Sequence, residues 1–258
     1  MSAVHDGYVL KKSIIKSPIG GHFLTKCMQH TIEEKGIAIR PRYSFKKVDT
    51  GGTTTIEDVD CSKITESFRA YHVDAICQDA KHAVCRQLSD NPFNPEENAN
   101  IPNVTYELPD GQEIHIGPQR FSIPELLFNP SLVTEFGDVG KQISEIPGID
   151  KMGLPQVVTD CIGKCDIDVR RELFNSIVLT GGTSLFASLQ KRLEDEVTNM
   201  APSLMKVRVT SPSNAIEKRY STWIGGSILA SLGTFQQMWM SKSEYKEYGA
   251  GLIHKKAP

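Results

Sequence analysis

No run of about 18 consecutive apolar residues occurs in this chain, and no apolar signal region follows Met1, so neither a membrane span nor secretion is expected. A strong charge of one sign is also missing. Twenty-nine basic residues against 31 acidic ones leave a formal charge of −2, which gives no overall electrostatic footprint for nucleic acid or an anionic membrane. Any association with DNA is therefore expected to be local or indirect, and the expected compartment is cytosol or nucleus. Disulfides are not expected in that reducing setting. The six cysteines (27, 61, 77, 85, 161 and 165) contain no C-x-x-C pair, and Cys161-Ile-Gly-Lys-Cys165, the one close pair, lacks the two further ligands that zinc would need. The seven histidines are scattered, none with a Ser or Cys partner at a spacing that suggests nucleophilic catalysis. Neither the P-loop pattern nor the G-x-G-x-x-G fingerprint is present.

What the chain does contain is enough length, 258 residues, for one large domain or two small ones with a sizeable core. It begins with Val4-His5-Asp6-Gly7-Tyr8-Val9, where Asp-Gly signals a hairpin. A domain that starts inside a sheet suggests that an N-terminal portion precedes it. Phe23, Leu24, Cys27, Met28 and Ile32 predict a helix over 22–35 stopped at Gly36. Residues 36–66, with Pro41, a basic run at 42–47 and Gly51-Gly52, read as an exposed, solvated insertion. A helix is predicted from about Glu66 to Leu88, then a loop over 91–100, a hairpin around Asp110-Gly111, a helix begun near Pro124, a polar separator from Glu135 to Gly153, and a helix through Val157, Val158 and Ile162.

Chemistry, if the chain has any, is expected at Ile177-Val-Leu-Thr-Gly-Gly-Thr-Ser-Leu-Phe186. An apolar strand there runs into a Gly-Gly turn and then a helix carrying Leu185, Leu189, Leu193 and Val197. Two readings stay open: the glycines admit a nucleotide edge to the backbone, or they merely pack helix on strand. The remaining segment, Arg219 to Trp239, reads as a buried helix entered through Gly225-Gly226. Two capping boxes, Thr234 with Gln237 and Ser241 with Glu244, would break it into short pieces with grooves between them.

The 219–239 run, Tyr106-Glu-Leu-Pro-Asp-Gly-Gln112, Lys164-Cys-Asp-Ile-Asp-Val-Arg170 and Thr180-Gly-Gly-Thr183 resemble the actin family in sequence and in order, across essentially the whole chain. Val4-His5-Asp6-Gly7-Tyr8, the segment 40–46, Ala215-Ile-Glu-Lys-Arg-Tyr220 and Pro258 are similar to the nuclear actin-related protein four class, plant members nearest. The resemblance implies an α/β, actin-like fold, which is a duplicated ribonuclease H-like fold. Here that would be the second half plus the C-terminal segment of the first. Residues 1–16 and 134–220 would form the large lobe of that half, 17–133 its inserted small lobe, and 221–258 a segment that packs on the first half.

It further implies a noncatalytic subunit of nuclear chromatin-remodelling and histone acetyltransferase complexes, beside nuclear actin and in indirect contact with chromatin. The expected location is the nucleus, with the cytoplasm also open. By position, Leu229, Leu232, Thr234 and Met238 would line a groove for a helix of the scaffold or motor subunit. Gly181, Gly182, Thr183, Leu185 and Phe186 match the family's adenosine-side turn. Lys81 matches its purine-side lysine, His82 stands where conventional actin has a ribose-contacting glutamate, and Arg219 replaces a lysine that flanks the base. ATP or ADP with a divalent cation is expected of a full-length form. The phosphate-binding hairpins would precede the equivalent of Met1, so hydrolysis is not expected of this chain. A filament-forming cytoskeletal relative and a superfamily ATPase or kinase are the alternatives; the 36–66 insertion weighs against the first and the tail against the second.

Overall fold

Asp6 and Gly7 both take positive φ, 50° and 82°, the backbone that a two-residue turn needs to match strand twist. They join the antiparallel strands Val4–His5 and Tyr8–Val9, as the Asp-Gly pair predicts. The computed structural model describes residues 1–50, 53–87 and 92–256. It divides into two compact units, one made of residues 1–16, 157–185 and 193–258, the other of 17–156 and 186–192. The expected end of the second helix at Leu88, the start of the loop at Asn91, the Gly51-Gly52 pair and Pro258 lie outside the described residues.

In the first unit, Ala3, Cys161 and Cys165 form a buried cluster, against which Leu10, Ile15, Val169 and Leu173 pack. The two thiols are one helical turn apart, and Cys165 Sγ donates to Cys161 O at 3.4 Å. Among the described residues, no group of three or more His, Cys, Asp or Glu could hold a metal ion. The Leu154–Gly163 helix ends under the guanidinium of Arg170, which donates from Nη2 to Gly163 O at 2.7 Å and from Nε to Cys165 O at 2.9 Å. That gives the Lys164–Arg170 motif a structural task, since the last carbonyls of a helix need donors and favour a cation. The strand Ile177–Val178 runs parallel to Val209–Thr210. Leu193 and Val197 are buried along the Leu189–Met200 helix, as is Leu189 four residues before, whose stretch up to Arg192 belongs to the second unit.

In the second unit, the helices Gly21–Glu34 and Glu66–Val84 bury Leu24, Cys27, Met28 and Ile32 of the one and Val73, Ile76, Cys77 and Ala80 of the other. The first stops at Gly36, whose φ of +73° suits a residue without Cβ. The hairpin Val104–Glu107 with Glu113–Ile116 turns at Asp110-Gly111, and its second strand alternates, with Ile114 and Ile116 inside and Glu113 and His115 outside.

Several expectations change. The 36–66 insertion is not a loop, because Phe45–Thr50 pairs with Thr53–Asp58 in a six-residue antiparallel register. Gly-Gly between two β-prone runs is a hairpin signal, and it outweighs the loop-like composition. The polar separator 135–153 contains the helix Gly137–Ser144. Its Gly140 lies so close to the Val133 carbonyl that an added Cβ would sit 1.7 Å from that oxygen. Pro124 does not begin a helix but lies inside Gln119–Glu125. Arg120 O, which loses its helical donor because proline has no N–H, accepts from Arg86 N–H at 3.0 Å.

The tail differs most. The Ala215–Ser231 helix is entered through Asn214, whose side chain accepts from Ile216 N–H at 2.8 Å, and it runs through Gly225-Gly226 after a kink at Tyr220. Of the two expected capping boxes, Ser241 with Glu244 is complete at the start of Lys242–Tyr248. The other is absent: Gly233–Met238 is a 3-10 helix with Leu232 at its N-cap and no side-chain cap. No residue of the tail helices is buried, so the segment is not the buried core helix that periodicity alone suggests; exposure here is what the resemblance implies for a tail that packs on the first half. Among the described residues, no helix is long and apolar enough to cross a membrane.

Candidate functional site

The Gly-Gly turn is fixed by hydrogen bonds from both sides. Leu179 N–H donates to Thr210 O at 2.8 Å, and Ser211 Oγ donates to Leu179 O at 2.9 Å, so the strand end is clamped just before the turn. Gly181 takes φ +98°, a conformation that side chains with Cβ avoid. Its N–H donates to Lys218 O at 2.8 Å, and its carbonyl accepts from Ser184 Oγ at 2.6 Å. Ser184, which the sequence reading passed over, is therefore the residue that holds the turn closed, and it is buried.

A Cβ built on Gly182 meets no atom within 4 Å. The second glycine is thus not demanded by helix-on-strand packing, and it leaves open space above the backbone. Thr183 is half-buried and Leu185 exposed. The bond to Lys218 O ties the turn to the first turns of the Ala215–Ser231 helix, so Arg219 stands one residue from that contact. Its guanidinium lies over the Tyr220 ring, 5.6 Å from the centroid.

Lys81, His82 and Phe186 belong to the other unit. Lys81 is 3% exposed, and its ammonium donates to Gly21 O at 2.6 Å and to Thr25 Oγ1 at 2.8 Å. Two of its three donors are thereby used in joining the helices Glu66–Val84 and Gly21–Glu34. Burial holds its pKa below the ordinary lysine range. The same desolvation raises the Cys27 thiol and pushes Cys85 up to about 12, which leaves both thiols protonated and unreactive at neutral pH. His82 is exposed and Phe186 half-buried.

The four positions expected to line a groove all lie in the first unit and are exposed, but none of them lines the concavity along the Ala215–Ser231 helix. Leu229 is 53% exposed, Leu232 50% and Met238 37%, with Thr234 exposed among them. Trp223 at 79% and Trp239 at 59% extend the same apolar character. A shallow concavity of 670 Å³ runs along the helix over Thr222, Trp223, Gly226, Ser227 and Ala230. Neither Gly225 nor Gly226 would bring a Cβ against other atoms, so the glycines deepen an outer face and fill no packing gap.

The actin family model matches residues 1–258. The chain belongs to the actin family. Its helices and small two-stranded sheets are those of an α/β, actin-like fold. Among curated relatives, this actin-family chain is 48% identical to an Arabidopsis thaliana protein named Actin-related protein 4 over 259 residues, all of this chain and 58% of that protein. A protein of the same name from Oryza sativa subsp. indica is 48% identical over all of this chain and 58% of its own length. The Schizosaccharomyces pombe protein of that name is 31% identical over 97% of this chain and 61% of its length. The chain thus spans about three fifths of the relatives that it matches.

Proposed function

We propose that this actin-family chain is a noncatalytic actin-related subunit of nuclear chromatin-remodelling and histone acetyltransferase complexes, and that its tail face receives a helix of the scaffold or motor subunit. The observation that carries this reading is the tail itself. It holds helices with no buried residue, and Trp223 and Leu229 on them and Leu232 and Trp239 at their ends are each at least half exposed. An exposed apolar surface of this kind supports an interaction site, and the resemblance divides it between the first half, on which 221–258 would pack, and the partner helix. An amphipathic helix laid along it would bury its own apolar stripe at i, i+3, i+4 and i+7. The relatives' name supports an actin-related protein, and the nuclear role rests on the sequence resemblance.

Nucleotide binding belongs to the same proposal for a full-length form. The turn fits the adenosine side of ATP or ADP, because Gly182 leaves space where a side chain would block a ligand. Gly182, Thr183 and Leu185 would offer backbone to it and Gly181 would shape the turn, with Phe186, Lys81, His82 and Arg219 assigned by resemblance. The bound nucleotide supplies a polyphosphate for the divalent cation.

The test is twofold. The tagged protein is isolated from nuclei and its partners are identified; remodeller or acetyltransferase subunits are expected, and their absence refutes the proposal. A synthetic peptide of the partner's scaffold helix is then titrated against the purified chain and against Leu229→Asp and Leu232→Asp. Each exposed-to-charged change should weaken binding at least tenfold, about 1.4 kcal/mol.

A further inference from the structure

One face of the Glu66–Val84 helix carries Phe68, His72, Ile76 and Asp79 at helical spacing and forms the floor of a 710 Å³ cleft within the second unit. Arg42, Tyr43 and Lys47 form one wall, and the hairpin residues Tyr106 to Pro109 form the other. The cleft shares no residue with the glycine turn or the tail.

Its centre is aromatic. The His72 ring lies 4.5 Å from that of Phe68 and 5.2 Å from that of Tyr43, and the last two are 5.3 Å apart. Phe68 is nonetheless 46% exposed, and Tyr71, whose ring is 5.4 Å from His72, is 69% exposed. The aromatic surface is therefore rigidified by its neighbours yet open to a ligand, the arrangement found at binding hot spots.

The walls differ in charge. Arg42 and Lys47 have no carboxylate partner among the described residues. On the floor, Asp79 accepts from the hydroxyl of the hairpin's Tyr106 at 2.6 Å, and Glu107 of the hairpin is exposed. A polyanion would meet Asp79 and Glu107 as well as the cations, and like charges of that kind cost affinity. A peptide can set a carboxylate against Arg42, an apolar or aromatic side chain on Phe68, and its main-chain N–H groups toward Asp79 and Glu107.

We infer that this cleft is a second docking site, which takes a short polypeptide segment carrying an aromatic or large aliphatic side chain next to an acidic residue. The test is to pan a random heptapeptide library on the 258-residue chain. Binding of the recovered peptides is then measured by fluorescence anisotropy to wild type, Arg42→Glu and Phe68→Ser. Arg42 is exposed and unpaired, so its replacement leaves the fold intact even if Phe68→Ser does not, and circular dichroism checks both. Recovered sequences should pair an aromatic or large aliphatic residue with Asp or Glu within two positions, and Arg42→Glu should weaken them about tenfold or more. Replacing the peptide's acidic residue by Lys should restore binding to Arg42→Glu. The inference is overturned if no sequence is enriched, if Arg42→Glu binds within twofold of wild type, or if oligothymidylate binds with the same dependence on the variants.

Discussion

Replacing Arg192 by Met should strand a carboxylate in the core of the second unit. Arg192 and Glu125 are 3% and 1% exposed, and Arg192 Nη2 donates to Glu125 Oε1 at 2.9 Å. The other carboxylate oxygen accepts from Gln87 Nε2 at 2.8 Å, and the guanidinium lies 4.8 Å from the Phe128 ring centroid. Even in the native protein, desolvation by burial raises the Glu125 pKa, against the lowering effect of Arg192. Methionine keeps the aliphatic volume but removes the charge. Breaking a buried pair from one side costs about 3–5 kcal/mol, a fall of roughly 6–20 °C in Tm for a chain of this size.

The sign with pH follows from the same residue. Without Arg192 the folded Glu125 pKa rises further above its unfolded value, so the folded state holds the extra proton and is stabilised relative to the unfolded state as pH falls. The deficit of the variant should shrink by about 1.4 kcal/mol for each pH unit over which its folded Glu125 is protonated while that of the wild type is still ionised. Adding Glu125→Gln to Arg192→Met should recover most of the loss at pH 7. Urea denaturation followed by circular dichroism at pH 7.5 and 5.5 reads both effects. A single-variant deficit below about 1 kcal/mol at pH 7.5, or one that grows at pH 5.5, would refute the account.

Gly140→Ala should cost at least about 2 kcal/mol or prevent folding, because the new methyl would overlap the Val133 carbonyl; thermal denaturation shows it. Gly225→Ala and Gly226→Ala, in an exposed helix with open space at Cβ, should each gain about 0.5–1 kcal/mol of helix stability in the same measurement. Ser241→Ala removes the acceptor for Glu244 N–H and half of a reciprocal cap, so amide exchange across Lys242–Tyr248 should quicken severalfold. Glu244, whose pKa the Lys256 ammonium lowers to about 2, should keep its cap to Ser241 N–H at pH 4; an NMR titration with its inflection near 4 would contradict this.

The turns and helix ends were legible in the sequence where a residue type is forced by its backbone. Asp6-Gly7, Gly36 and Gly111 are examples: a positive φ is a local demand, and few residues meet it. Leu189, Leu193 and Val197 were legible because they write their burial in a four-residue step. Arg192 lies on the same face, but its burial depends on Glu125, 67 positions away, and no local period announces such a partner. The 45–58 hairpin was hidden for the opposite reason. Phe45 is buried at its start, but Lys46, Lys47 and Ile56 are exposed on it, so the alternation by which strands are usually recognised is weak. The tail shows the limit most clearly. Its apolar positions suggest core because periodicity reports which face of a helix is apolar, while burial also needs a second surface to cover that face. Within the first unit none does, and Trp223, Leu229 and Leu232 remain in solvent. The sequence features that suggest a buried helix are therefore the same ones that leave an apolar face open to a covering surface.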